Sequence, residues 1–166
     1  MTYGCGMAGA DLGHREPEDL LGFLVRQAHL RLSVLSAEAL ARVGIDAKEY
    51  GVLRVLESSG PLSQQQIAAN LGIDATTMVA LVDDLVGKDL VTRRPDPADR
   101  RRNLIELTAS GKDTHRAADA AYSGAEDDFL SPLSAAEAEQ FRTALRTLAA
   151  PDASLSRGRA AGRTRR

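Results

Sequence analysis

Apolar positions recur at helical spacing through most of the chain. Leu20, Leu21, Leu24, Val25, Ala28, Leu32, Leu35, Ala39 and Leu40 predict one long helix from Pro17 to about Val43. Pro17 suits a first helical turn, where its missing N–H would lack a partner anyway, and Gly44 ends the helix. A shorter helix over about 47–57 carries Tyr50, Leu53, Val55 and Leu56, and Ser58 to Pro61 break it. Ser63 with Gln66 three residues on is a capping box, in which each side chain satisfies the other residue's backbone N–H. The helix it opens turns Ile67, Ala68 and Leu71 inward and stops at Gly72. Asp74 caps the next, whose inward set is Met78, Leu81, Val82, Leu85 and Val86, up to Gly87. Two short capped helices parted by a three-residue turn form a helix-turn-helix signature.

The period then changes. Val91 to Arg94 and Arg102 to Thr108 predict two strands, joined through the turn residues Pro95 to Asp99. A final helical pair spans about 109–130 and 135–148, parted at Ser131-Pro132. The fold class expected is mainly α with a small β-hairpin wing. It divides into a loose Gly-rich lead-in over 1–16, a domain over 17–150 and an Arg-rich tail over 151–166. Within the domain, residues 47–108 form the winged helix-turn-helix, flanked by helices over about 17–43 and 109–149. Those flanking helices carry more apolar residues than one small lobe can cover, which predicts a two-fold dimer.

Composition narrows the chemistry. The net charge is −2 over 166 residues, but the tail holds five Arg against one Asp, a net +4 that leaves −6 on the rest. A nucleic-acid surface must therefore be a local patch on an acidic body. Aromatics are 4% of the chain and the tail has none, so it offers no platforms for stacking bases. Cys5 is the only cysteine, which suits a reducing cytoplasm. No export signal opens the sequence and no run of about 18 apolar residues spans a membrane, so the expected location is cytoplasmic. His14, His29 and His115 show no zinc-like spacing, and no cofactor is expected. No nucleophile elbow or phosphate-binding Gly loop is present, and Asp83-Asp84 are adjacent on a helix, so an enzyme is not expected.

Double-stranded DNA is the expected partner. Ser63, Gln64 and Gln65 lie at a helix start, where side chains and free N–H groups can bond phosphate oxygens. On the following helix the core-facing set leaves Thr76, Thr77, Val79, Ala80 and Asp83 outward. Thr77 can hold a phosphate, while Thr76, Val79 and Ala80 can touch thymine methyls. Arg93, Arg94, Arg100, Arg101 and Arg102, opposed by Asp96 and Asp99, put a net +3 on the hairpin. Such a tip suits the negative potential of a narrow minor groove.

Residues 62–112 resemble the winged helix-turn-helix of the MarR family of transcription regulators. The most specific piece is Asp99-Arg100-Arg101, then Leu104-Ile105-Glu106-Leu107-Thr108 and Gly111, similar to that family's D-x-R wing signature. The resemblance implies a triangular dimer with intertwined first and last helices and two recognition helices in successive major grooves. It implies that Arg101 enters the minor groove while Asp99 fixes the wing. Val79-Ala80 depart from the pattern, where relatives often carry a polar or basic residue. It further implies a small aromatic or phenolic effector near Phe23, Gln27, His29, Tyr50 and Arg54. One branch of the family resembles a peroxide sensor, but aligning Phe23-Leu24 with it puts Gly22 at the reactive position. The remaining alternative is a dimeric winged-helix adaptor that contacts proteins rather than DNA.

Overall fold

The computed structural model describes residues 17–97 and 102–150. A 3-10 turn at Pro17–Asp19 leads into α1 (Leu21–Ala41), α2 (Ala47–Ser59), β1 (Leu62–Ser63), α3 (Gln64–Leu71) and α4 (Ala75–Gly87). Next come β2 (Val91–Pro95), β3 (Asn103–Leu107), α5 (Ala109–Leu130) and α6 (Ala135–Ala149). The helical chain with its small antiparallel sheet matches the fold class read from periodicity. The lead-in 1–16, the tail 151–166 and with them Cys5 and His14 lie outside the described residues.

The first compact unit runs to Glu126. Its core joins Leu40 and Ile45 to Tyr50, Val52, Leu53 and Leu56 of α2, Ile67 of α3, and Met78, Val82 and Leu85 of α4. Val91, Ile105 and Ala118 complete it from β2, β3 and α5. Each short helix begins on a side-chain cap: Asp46 for α2, Ser63 for α3 and Asp74 for α4. Gly72 closes α3 at φ 64, a left-handed conformation that costs glycine nothing.

Several boundaries differ from the periodic reading. The first helix starts at Leu21 rather than Pro17, because Leu20 is extended (φ −71, ψ 128) and parts it from the 3-10 turn at Pro17–Asp19. It ends at Ala41, after which Val43 N–H and Gly44 N–H donate to Leu40 and Ala41 carbonyls in tighter i to i−3 bonds. Strand β1 was not expected; Leu62 pairs with Ile105 and Ser63 with Leu104, giving the order β1-β3-β2. Val86 is exposed rather than inward. At about 100° per residue it falls roughly 80° from Met78, at the edge of the stripe that Leu81, Val82 and Leu85 define.

Helix α1 fully buries only Ser36 and Leu40, and leaves Leu21, Leu24, Val25, Leu30 and Val34, with Leu20 before it, in the open. The second unit begins at Asp127. There Ser134 and Glu137 form a capping box at the start of α6. The Phe129 and Phe141 rings meet at 6.4 Å, and Leu145 and Leu148 are exposed.

Candidate nucleic-acid interface

The helix pair α3–α4 is built from its caps. Ser63 N–H and hydroxyl donate to Gln66 Oε1 at 2.9 and 2.8 Å, while Gln66 N–H donates back to Ser63 Oγ. Asp74 accepts from the Thr77 hydroxyl at 2.6 Å and the Thr77 N–H at 2.9 Å. The hydroxyl bond first, then the backbone bond, holds the Asp74 carboxyl below the usual carboxylate range. The start of α4 thus carries a committed negative charge that suits the helix dipole.

Those bonds change what the expected contact residues can offer. Ser63 is buried, with its hydroxyl spent on the cap. Gln64 is half-buried, and its amide nitrogen has no hydrogen-bond partner among the described residues. Thr77 already donates its hydroxyl to Asp74, so it can bond a phosphate only by giving up that contact. Gln65, Thr76, Val79 and Ala80 stand exposed, as the inward–outward pattern predicts.

The wing places β2 against β3, with Arg94 opposite Leu104 and Pro95 opposite Asn103. Arg93 pairs with Asp83 on the outer face of α4, and Arg94 pairs with Glu106 across the hairpin at 2.7 Å. Hairpin and recognition helix are therefore tied together by charge, and these two arginines reach the interface already neutralised. Asp99, Arg100 and Arg101, which carry the wing signature, lie outside the described residues; Arg102 is exposed beside them.

A second locus lies between α2 and α5. Tyr50 stacks with Tyr122 at 5.3 Å and with His115 at 6.1 Å, and its hydroxyl donates to Asp119 at 2.7 Å. Burial, then the bond to Asp119, pushes the phenol up to about 12. A cavity of about 420 Å³ opens here, lined by Tyr50, Arg54, Val55, Ser58, Leu71 and Tyr122 among others. Of the five effector residues suggested by resemblance, Tyr50 and Arg54 line it and Phe23, Gln27 and His29 do not. Phe23 is half-buried, while Gln27 and His29 are exposed on α1.

Two connections were missed in the sequence. Glu49 completes the α2 cap by accepting from Asp46 N–H at 2.9 Å, and it also receives Lys88 at 2.7 Å. Asp46-x-x-Glu49 repeats the capping-box spacing recognised at Ser63, so that half was readable; its pairing with Lys88 was not. At the other end of the wing, the Thr108 hydroxyl donates to the Asp89 carbonyl at 2.6 Å and accepts from Gly111 N–H at 2.9 Å.

A capped helix pair followed by a two-stranded hairpin packed on its second helix defines a winged helix-turn-helix protein. Residues 43–102 match the model of the MarR family. The chain is 30% identical over 129 residues to a transcriptional regulatory protein assigned to the hcr operon in Thauera aromatica, covering 77% of this chain and 78% of that one. It is 31% identical over 91 residues to the repressor NicR of Pseudomonas putida, covering 55% of this chain and 58% of NicR. Among solved structures, the repressor CouR bound to a 23-mer DNA duplex is 28% identical with a TM-score of 0.73, covering 82% of this chain and 99% of that one. CouR of Rhodococcus jostii RHA1 bound to p-coumaroyl-CoA is 29% identical with a TM-score of 0.68, covering 81% and 95%. This chain belongs to the MarR family of transcriptional regulators. None of its described helices is long and apolar enough to cross a membrane.

Proposed function

We propose that this protein is a ligand-responsive, DNA-binding repressor that works as a homodimer on a pseudo-palindromic operator. The observation that carries the reading is the outward face of α4. Thr76, Val79 and Ala80 stand clear of the core, on a helix braced at its start by Asp74 and tied at Asp83 to an arginine-bearing hairpin. CouR, a relative of the same fold, has been solved on duplex DNA and with p-coumaroyl-CoA. In this reading residues 47–108 form the DNA-binding lobe. Gln65 positions it on phosphates, joined by Thr77 once its hydroxyl leaves Asp74, and Arg101 enters the minor groove beside Asp99 and Arg100. The exposed leucines and valines of α1 and the exposed Leu145 and Leu148 of α6 are covered by a second copy. A small aromatic or phenolic effector occupies the Tyr50–Tyr122 cavity, where Arg54 supplies a positive charge. The protein acts in the cytoplasm and has no catalytic role.

Selection of genomic fragments bound by the full chain, followed by sequencing, tests this directly. The expected product is a pseudo-palindrome with half-sites about one helical turn apart. Inserting about five base pairs between the halves, half a turn, should abolish tight binding. A chain that is monomeric by light scattering, or that shows no salt-dependent duplex binding, would overturn the reading and favour a protein-contact module.

A further inference from the structure

We propose that Lys88 and Glu49 are a positioning pair that sets the angle at which α4 meets DNA; this rests on the DNA-binding reading above. Lys88 is the C-cap residue of α4. Its ammonium reaches across to the corner between α1 and α2, donating to the Gly44 carbonyl at 3.1 Å and to both Glu49 oxygens at 2.7 and 2.9 Å. The Glu49 side chain is only 7% exposed. Its remaining bond is to Asp46 N–H, within the α2 cap. The carboxylate is thus fixed to α2 from one side and grips the far end of α4 from the other.

That anchor has leverage. The 13 residues of α4 span about 20 Å at about 1.5 Å per residue. With the core stripe near Val82 as fulcrum, a shift of about 1 Å at the Lys88 end would move Thr76, about 9 Å away on the other side, by about 1 Å. Binding constellations tolerate only about 0.5 Å. The apolar stripe of Met78, Leu81, Val82 and Leu85 resists separation from the core but gives no directional bond. Lys88 and Glu49 supply that direction at one end, and Arg93 with Asp83 supplies it midway. The next residue of α2, Tyr50, holds α5 through Asp119. Neighbouring positions of one helix therefore fix both the recognition helix and the wall of the aromatic cavity.

The test begins with a duplex selected from random sequence by the full chain, together with versions whose half-site spacing is one base pair longer or shorter. Lys88→Met, the double variant Glu49→Leu/Lys88→Met and the control Lys112→Met are titrated against all three at fixed salt. Lys112 is an exposed lysine of α5, so its loss changes the net charge equally. The wild type should prefer the selected spacing. Both Lys88 variants should bind the selected duplex roughly tenfold more weakly, the scale of one mismatched base pair, with a flattened spacing preference. Lys112→Met should shift all three duplexes alike. Lys88→Met leaves a buried carboxylate without its cation and should lower Tm. The double variant removes both charges and should recover part of that Tm, short of the Asp46 N–H bond that Glu49 also accepts, while keeping the flattened profile, so it carries the test even if Lys88→Met fails to fold. A double variant with the wild-type spacing preference, or Lys88→Met indistinguishable from Lys112→Met, would overturn the proposal alone. Failure of the wild type to enrich any duplex would overturn the DNA-binding reading as well.

Discussion

Gly111 lies hard against the carbonyl of Leu90: a β-carbon at Gly111 would meet that oxygen at 1.9 Å. The contact joins the start of α5 to the turn leaving α4, where Thr108 N–H also donates to Leu90 O at 3.2 Å. Gly111→Ala is expected to cost about 1–3 kcal/mol, the range of overpacking in a filled site. Gly124→Ala, on the same helix with nothing within 4 Å of the added carbon, should instead stabilise by up to about 1 kcal/mol. Urea unfolding of the two variants checks this, and equal midpoints would contradict the contact.

The raised Tyr50 phenol makes a pH prediction. Its folded value, about 12, lies above the ordinary 10.0, so folding favours the neutral form. The stability it contributes is complete below pH 10 and is lost as pH rises toward 12. Tyr50→Phe removes the bond to Asp119 and should cost about 0.5–1.5 kcal/mol near neutral pH. The gap to wild type should close through that alkaline window in denaturant titrations. A gap constant to pH 12 would mean the phenol ionises no later than in the unfolded chain.

Asp83 pairs with Arg93 and so competes with any external phosphate for that guanidinium. Asp83→Asn should release that arginine and strengthen binding to unrelated duplexes. The slope of log affinity against log salt should steepen by about 0.9, the value for one added phosphate contact. An unchanged slope would mean that Arg93 cannot reach DNA from its place in β2.

Arg101 and Gln65 should separate shape reading from grip. Arg101→Ala is expected to weaken operator binding by about 1–3 kcal/mol. The loss should be larger with A·T-rich flanks, whose narrow grooves attract arginine. Gln65→Ala should weaken all sequences about equally, because phosphate contacts carry no sequence information. Titrations on both flank types at one salt concentration read the difference. Equal losses for Arg101→Ala would leave sequence reading to Thr76, Val79 and Ala80.

What was legible in the chain follows distance along it. The Ser63–Gln66 box, the Asp74 cap and the Gly72 stop are local chemistry, and all three appear as the sequence implies. Thr76, Val79 and Ala80 of α4 were legible because helical period sets them outward, whereas Val86 at the edge of the stripe was not. Strand β1 was not, since two residues show no alternation and exist as a strand only through Leu104 and Ile105. Lys88 finds Glu49 across 39 residues and Tyr50 finds Asp119 across 69. No spacing rule reaches that far. The same limit explains the effector residues: Tyr50 and Arg54, one turn apart on α2, share a cavity, whereas Phe23, Gln27 and His29 on α1 do not line it.

The bareness of α1 has a consequence for behaviour in the cell. A helix of 21 residues that fully buries Ser36 and Leu40 alone, with Leu21, Leu24, Val25, Leu30 and Val34 exposed, leaves much of its apolar surface uncovered by the described residues. If the proposed second copy covers its leucines and valines, assembly and folding would become one equilibrium and stability would depend on concentration. Dilution would then lower the melting temperature as well as the fraction assembled. Operator occupancy would respond to the amount of regulator more steeply than first order, so changes in its synthesis or degradation would be amplified at the operator.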